Sequence, residues 1–362
     1  MLTKKILPVA TPLLDSYSHY GSIFSILASD GDNYLPWLFS RFCQLIADPV
    51  KENRGLYINI DEPEWFPRTT SYCPLIETEI LSTKIFERKY SIIEAVIDAI
   101  NNNFYIFMVV EHYYIPGSTS YQKSSNNHDI MIYGYDKENQ LLKIADNFNG
   151  KYKFCECTFS QFTEAYTHTN KDKNRLNSKV CLFSKKKNEV VEFDTMRLID
   201  NLNSYLTGVY PEMRSSGWQS SFIGWAKGIN IYNNVKEYLT LLLEKKTRVD
   251  KRTFYAIWEH KKLMVMRILY MQNNGLIKDS SSILEKYHEI ERISYKHIMM
   301  LLKFEITSDP KLVQTIFLEI DSIISIETKL IQSILKNINI KPMNSSIILG
   351  IDMDHTRRWC LV

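Results

Sequence analysis

The sequence predicts an α+β fold: a sheet-bearing first half followed by a helical second half. Three observations predict it. Up to about residue 185, apolar residues come in short runs with strand character, broken by Gly, Pro, Asn and Lys turns and a few short helices. Beyond a lysine-rich stretch, Ser184 to Glu192, apolar residues recur at three- and four-residue spacing through long segments. The 362 residues are 45% hydrophobic and 23% charged, enough for two domains of ordinary size and a sizeable core.

The elements follow in order. Residues 18–29 read as a short buried helix, with Ile23, Phe24, Ile26 and Leu27 on its apolar face and Asp30-Gly31-Asp32 ending it. A second helix is expected at 34–46, with Pro36 in its first turn, where a missing N–H is harmless. Residues 48–83 lack a clear period and read as loops with short strands, one of them within Gly55 to Ile60. Ile92, Ile93, Val96, Ile97 and Ile100 put one face on a helix at 86–101. Residues 104–114 suit a central strand, which Pro116-Gly117 stops, and a polar loop follows at 118–127. Strands at 128–136 and 140–147 form a hairpin about Lys137-Glu138-Asn139. A third strand at 151–157 leads into a helix whose Thr158 and Gln161 stand at capping-box spacing. A strand at 180–183 closes this half.

In the second half, Asp194 caps a helix through about Leu206. Residues 208–230 read as a loop or short helices. Long helices are expected near 231–247, 250–274, 281–304 and 310–338, with breaks at Gly275 and Asp309-Pro310. Their stripes predict an antiparallel helical bundle. The expected organisation is therefore residues 1–188, then a bundle at 189–342, then a tail at 343–362.

Charge and cysteine usage narrow the classes. A net charge of +3, from 44 basic and 41 acidic residues, is too balanced for a nucleic-acid binder. The six cysteines show no C-x-x-C spacing, which fits a reducing compartment. The N-terminal apolar run is cut by Pro8 and Pro12, and no apolar stretch reaches the ~18 residues of a membrane helix. The expectation is a cytoplasmic protein with no membrane partner. No metal or cofactor is expected: Cys155 and Cys157 lack a second pair, and Glu259-His260, His288-Glu289 and His297 lack the Glu-x-x-His spacing of bundle metal sites.

The strongest chemical pair is His128 with Asp146. Imidazole is matched to proton transfer near neutral pH, and a carboxylate on its far nitrogen fixes tautomer and orientation. A helix, then His on a strand, then Asp on the next strand is the order of a papain-like architecture. The competing reading is a strand-edge His and a turn Asp with no shared role. Glu111 and His112 alternate across a strand, so only one of them can face His128; either is read as structural.

Tyr113-Tyr114-Ile115-Pro116, His128 ahead of Ile132-Tyr133-Gly134-Tyr135-Asp136, and Ala145-Asp146 resemble the N-terminal domain family of the butirosin biosynthesis acyltransferase. That family is similar in fold to papain-like and C39-type peptidases. The resemblance covers roughly residues 10–185, and the helix-rich half resembles the C-terminal half of such proteins accompanying nonribosomal peptide clusters. It implies a papain-like cysteine-protease-type domain that moves an acyl group from an acyl or peptidyl carrier protein to an amine acceptor in antibiotic biosynthesis. In such enzymes a cysteine beside a histidine, before the first helix, attacks the thioester. Here His19-Tyr20 stands at that place, and no cysteine precedes Cys43. A phenol of pKa near ~10 is a poor acyl acceptor beside a thiol; Ser16, Ser18 and Ser22 are the neighbouring hydroxyls. The candidate site is thus His128, Asp146, Tyr20, Ser22 and His19. Three readings stay open: acyl transfer by another nucleophile or by His128 alone, a catalytically inactive pseudoenzyme that binds carrier or substrate, and an unrelated binding protein.

Overall fold

The computed structural model describes residues 2–60, 73–88, 91–171, 177–209 and 224–339. The chain is a mixed α and β structure. Its first half holds β1 (Lys4–Ile6), α1 (Ser18–Ala28), α2 (Leu35–Arg41), β2 (Leu45–Ala47), β3 (Ile58–Ile60), β4 (Ile76–Ser82), α3 (Thr83–Phe86), α4 (Ile92–Asn101) and β5 (Tyr105–Glu111). Then come β6 (Asn127–Asp136), β7 (Leu141–Phe148), β8 (Lys151–Thr158), α5 (Phe159–Thr167) and β9 (Lys179–Lys185). The second half is α6 (Thr195–Thr207), β10 (Ala226–Lys227), α7 (Ile231–Leu243), α8 (Lys251–Asn273), α9 (Ser281–Thr307) and α10 (Pro310–Asn337).

The main sheet is antiparallel, in the order β4-β9-β5-β6-β7-β8, with β1 along the far end of β6. Antiparallel neighbours joined by tight turns explain the 127–158 meander. β5 is buried along its whole length, as its continuous apolar run requires. α1 covers one face of the sheet, where Gly21 lies against the Tyr152 ring. α4 lies on the other face, where the Tyr135 hydroxyl donates to Asn101 Oδ1. α5 starts where expected: Thr158 and Gln161 complete the reciprocal capping box.

Three expected elements differ, each for a local reason. The helix expected over 34–46 ends at Arg41, and the chain then forms β2. Arg267 of α8 donates to the carbonyls of Phe39 and Phe42, each at 2.6 Å, and His260 Nε2 lies 2.8 Å from the Cys43 carbonyl. These partners satisfy carbonyls that a longer helix would have used. The helix expected from residue 86 starts at Ile92, because Ser91 and Glu94 form a capping box there. The strand expected to reach Tyr114 stops at Glu111, whose carboxylate accepts the Tyr113 N–H at 3.1 Å and turns the chain into a single 3-10 turn, His112–Tyr114.

The helical half joins the first half through many contacts. β10 pairs with β2, which pairs with β3, as a separate three-stranded sheet. Glu259 of α8 accepts from the Asp15 N–H at 2.6 Å and the Ser16 N–H at 3.2 Å, just ahead of α1. Burial pushes the Glu259 carboxyl up to about 8, against those hydrogen bonds. Within the bundle, Lys261 and Glu327 are fully buried and 2.5 Å apart. Tyr205 and Tyr232 donate to Glu327 Oε2 at 3.1 and 3.4 Å, and Lys261 also donates to Tyr205 at 3.2 Å. Most of the expected loop at 208–230 and all of the 343–362 tail lie outside the described residues. No helix among the described residues is long and apolar enough to cross a membrane.

Candidate functional site

His128 and Asp146 meet because of sheet register. β6 pairs with β7 so that Met131 faces Ala145 and Ile132 faces Ile144. Asp146 therefore comes opposite Ile130, and His128, two residues earlier, is its diagonal neighbour on the same face. His128 Nδ1 lies 3.0 Å from Asp146 Oδ2. The carboxylate is 1% exposed and the imidazole 39% exposed, so a sealed anion holds a half-open ring. Burial acts to lower the His128 pKa, but the hydrogen bond and charge of Asp146 outweigh it and push it up to about 9. Around neutral pH the ring is mostly imidazolium. Among the described residues its Nε2 has no hydrogen-bond partner.

His112 completes the cluster. Val110 faces His128 across β5 and β6, and the His112 N–H donates to the Asn126 carbonyl at 2.9 Å. Alternation then puts His112 on the face of His128 and sends Glu111 away. Glu111 instead holds the 125–127 turn, accepting from Ser125 at 2.6 Å, from the Asn126 N–H at 2.6 Å and from Asn127 at 3.2 Å. The His112 and His128 rings stand edge to face at 5.2 Å. His112 Nε2 lies 3.7 Å from Asp146 Oδ2, too far for a hydrogen bond. Burial drives the His112 pKa down to about 4, against the pull of the Asp146 charge, so the ring is neutral. Parity with His128 was the available signal for His112, but it needed the β5–β6 register, which sequence does not provide.

The α1 residues go elsewhere. Ser18, the first helical residue, donates to Asp129 Oδ2 at 3.1 Å. Asp129 is one residue from His128 and so emerges on the opposite face, the side that α1 covers. Asn147, likewise one residue from Asp146, donates to the Asp15 carbonyl on that side at 3.2 Å. The N-terminus of α1 thus addresses Asp129, not the imidazole. Tyr20 is buried, and its hydroxyl donates to Asn59 Oδ1 and the Ile60 carbonyl at β3. Ser22 is buried too, donating to the Ser18 carbonyl at 2.8 Å and accepting from the Tyr152 hydroxyl at 3.1 Å. His19 lies between aromatic rings, stacked on Tyr17 at 5.6 Å and tilted against Tyr20 at 4.3 Å, and burial lowers its pKa to about 4. The structure therefore brings His128 and Asp146 together and adds His112, while the Tyr20 hydroxyl bonds at β3, Ser22 bonds to Ser18 and Tyr152, and His19 packs on Tyr17 and Tyr20.

The arrangement offers an oriented imidazole with one free edge, a neutral buried imidazole behind it and a carboxylate between them. Such a group moves protons or ligates a cation. No protein-family model matches the chain, and no curated protein matches it.

Proposed function

We propose that the protein handles activated acyl groups in secondary-metabolite assembly, on a papain-like scaffold, and transfers acyl from a carrier-bound thioester to an amine without an acyl-enzyme intermediate. The observation that carries this reading is the 3.0 Å contact between His128 Nδ1 and the sealed Asp146 carboxylate, with the other edge of the ring open. A thioester is already activated, so proton management suffices. The amine nitrogen forms the new bond to the acyl carbon, and the carbon–sulfur bond breaks. His128 gives its Nε2 proton to the leaving thiolate and takes the proton that the amine nitrogen sheds. A thiol titrates near ~8.5, close to the about 9 of His128, so the first transfer is nearly balanced.

A specific observation favours a second reading. The Tyr20 hydroxyl, at the place of the expected nucleophile, is tied into β3. That favours a pseudoenzyme whose scaffold binds a carrier protein or substrate without chemistry. One experiment separates the two. An acyl thioester of N-acetylcysteamine and a primary amine are mixed with the full chain in EDTA, and amide formation is followed. The acyl-transfer reading expects turnover, a loss of about 10²-fold or more in His128→Ala, and no acylated protein by intact mass. Wild-type rates in His128→Ala refute it. No turnover, with a carrier protein retained on the column, supports the binding reading.

A further inference from the structure

We propose that His112, His128 and Asp146 form a binding site for one divalent transition-metal ion of the zinc type. Their ligand atoms all lie within 4.8 Å of one another, a group of two imidazoles and one carboxylate. The separations suit a shared cation. Two atoms bound at about 2.0–2.2 Å to one tetrahedral zinc sit roughly 3.4 Å apart. The observed 3.0 Å (His128 Nδ1 to Asp146 Oδ2) and 3.7 Å (His112 Nε2 to Asp146 Oδ2) bracket that value.

Unmet polar demand is the independent observation. His112 Nε2 and Asp146 Oδ1 are both buried without a hydrogen-bond partner among the described residues. Their side chains are 3% and 1% exposed. A buried polar atom left alone costs about 1–3 kcal/mol, and His112 Nε2 is the one that points into the cluster, 3.7 Å from Asp146 Oδ2. The His112 tautomer fits: Nδ1 lies 3.3 Å from Ser118 Oγ, which also accepts the Ser120 N–H at 3.1 Å. The Ser118 hydroxyl can serve either tautomer of the ring; the one that metal binding selects has Nδ1–H donating to Ser118 and the Nε2 lone pair turned to the cation, 3.7 Å from Asp146 Oδ2. Histidine ligands to metals are oriented by such a partner on the second nitrogen. On binding, the ion displaces the His128 Nδ1 proton to solvent; two imidazoles and one carboxylate then suit zinc or a similar borderline ion better than calcium or magnesium, which prefer all-oxygen shells.

This inference goes beyond the acyl-transfer reading and does not need it, because the site is defined by binding alone. The full chain, dialysed against EDTA, is titrated with Zn²⁺ by calorimetry and with Co²⁺ by visible absorption. The expected result is one tight equivalent, with Co²⁺ bands that Zn²⁺ abolishes. His112→Ala, His128→Ala and Asp146→Asn each weaken it at least about tenfold, while His168→Ala, on the exposed end of α5, leaves it unchanged. Zn²⁺ also raises the thermal midpoint of the wild type but not of Asp146→Asn. That variant keeps the carboxylate's shape, so it tests the site even if a histidine variant misfolds. Equal affinity in Asp146→Asn and the wild type overturns the proposal, as does the lack of any stoichiometric binding. Metal binding without acyl transfer sinks only the acyl-transfer reading; transfer in EDTA with no metal binding sinks only this inference.

Discussion

Gly21→Ala is expected to destabilise the protein even though alanine is the better helix former. Gly21 sits in the first turns of α1, and a Cβ built there falls 2.1 Å from Tyr152 Cδ2, 2.4 Å from Cε2 and 2.6 Å from Cγ. Carbon atoms in contact need about 3.5–4.0 Å, so helix and ring must part by roughly 1.5 Å. The obstacle includes Cγ, so the ring cannot simply swing its tip aside. It is also tethered, because its hydroxyl donates to Ser22 Oγ at 3.1 Å. Alanine gains about 0.8–1.0 kcal/mol in helix propensity. Overpacking costs about 1–3 kcal/mol, and losing the Ser22 hydrogen bond adds about 0.5–1.5 kcal/mol. The net expectation is a loss of about 1–3 kcal/mol. The control reverses the sign: in a Tyr152→Ala background the same substitution meets no ring and becomes stabilising by up to about 1 kcal/mol. Urea denaturation followed by far-UV circular dichroism, on both backgrounds, gives the coupling directly. If Gly21→Ala has the same effect with and without Tyr152, α1 does not rest on β8 in the way described.

Two further outcomes are expected in the helical half. Lys261→Met leaves Glu327 as a buried charge with only tyrosine hydroxyls for partners, at a cost of about 3–5 kcal/mol, whereas Lys261→Met with Glu327→Leu recovers much of it; urea midpoints that rank the double variant below the single one contradict this. Glu259 carries its proton in the folded state up to about 8, against about 4.3 unfolded. Its stabilising contribution is thus full below the unfolded value and is lost as pH rises through about 8. The thermal midpoint of Glu259→Gln, measured relative to wild type, should improve steadily from pH 5 to 8; a difference that stays flat over this window refutes the assignment.

Local signals were readable wherever one residue set one boundary. Thr158 with Gln161 and Asp194 each announced a helix start that the structure holds. The continuous stripes of α9 and α10 announced bundle helices. What sequence could not supply was anything decided at long range. β2 and β10 are three and two residues long and pair between distant parts of the chain, whereas β3 falls inside the strand expected within Gly55 to Ile60. α2 stops at Arg41 because Arg267 takes the carbonyls of Phe39 and Phe42 and His260 lies on that of Cys43. The site shows the same division. The His128 and Asp146 pairing was legible from two adjacent strands. His112 was not, because its face depends on where β5 ends, and Glu111 decides that by accepting the Tyr113 N–H. The place of Tyr20 on α1 was legible; the direction of its hydroxyl depends on β3.

The carboxyl group of Glu259, seated on the backbone of Asp15 and Ser16, has a consequence for synthesis. The approach to α1 is anchored by a side chain made 244 positions later. Arg267 and His260, which take carbonyls at the end of α2 and just after it, come equally late, as does Thr253, which donates to the Leu56 carbonyl. A ribosome adding about 5–20 residues per second takes roughly 10–50 s to cover such a gap. Through that interval the first sixty residues carry unpaired backbone groups and an uncovered apolar surface, while the sheet that they will join is made after them. The nascent chain therefore needs shelter for its start more than for its end, and newly made chains cut short before α8 should be the ones that chaperones retain.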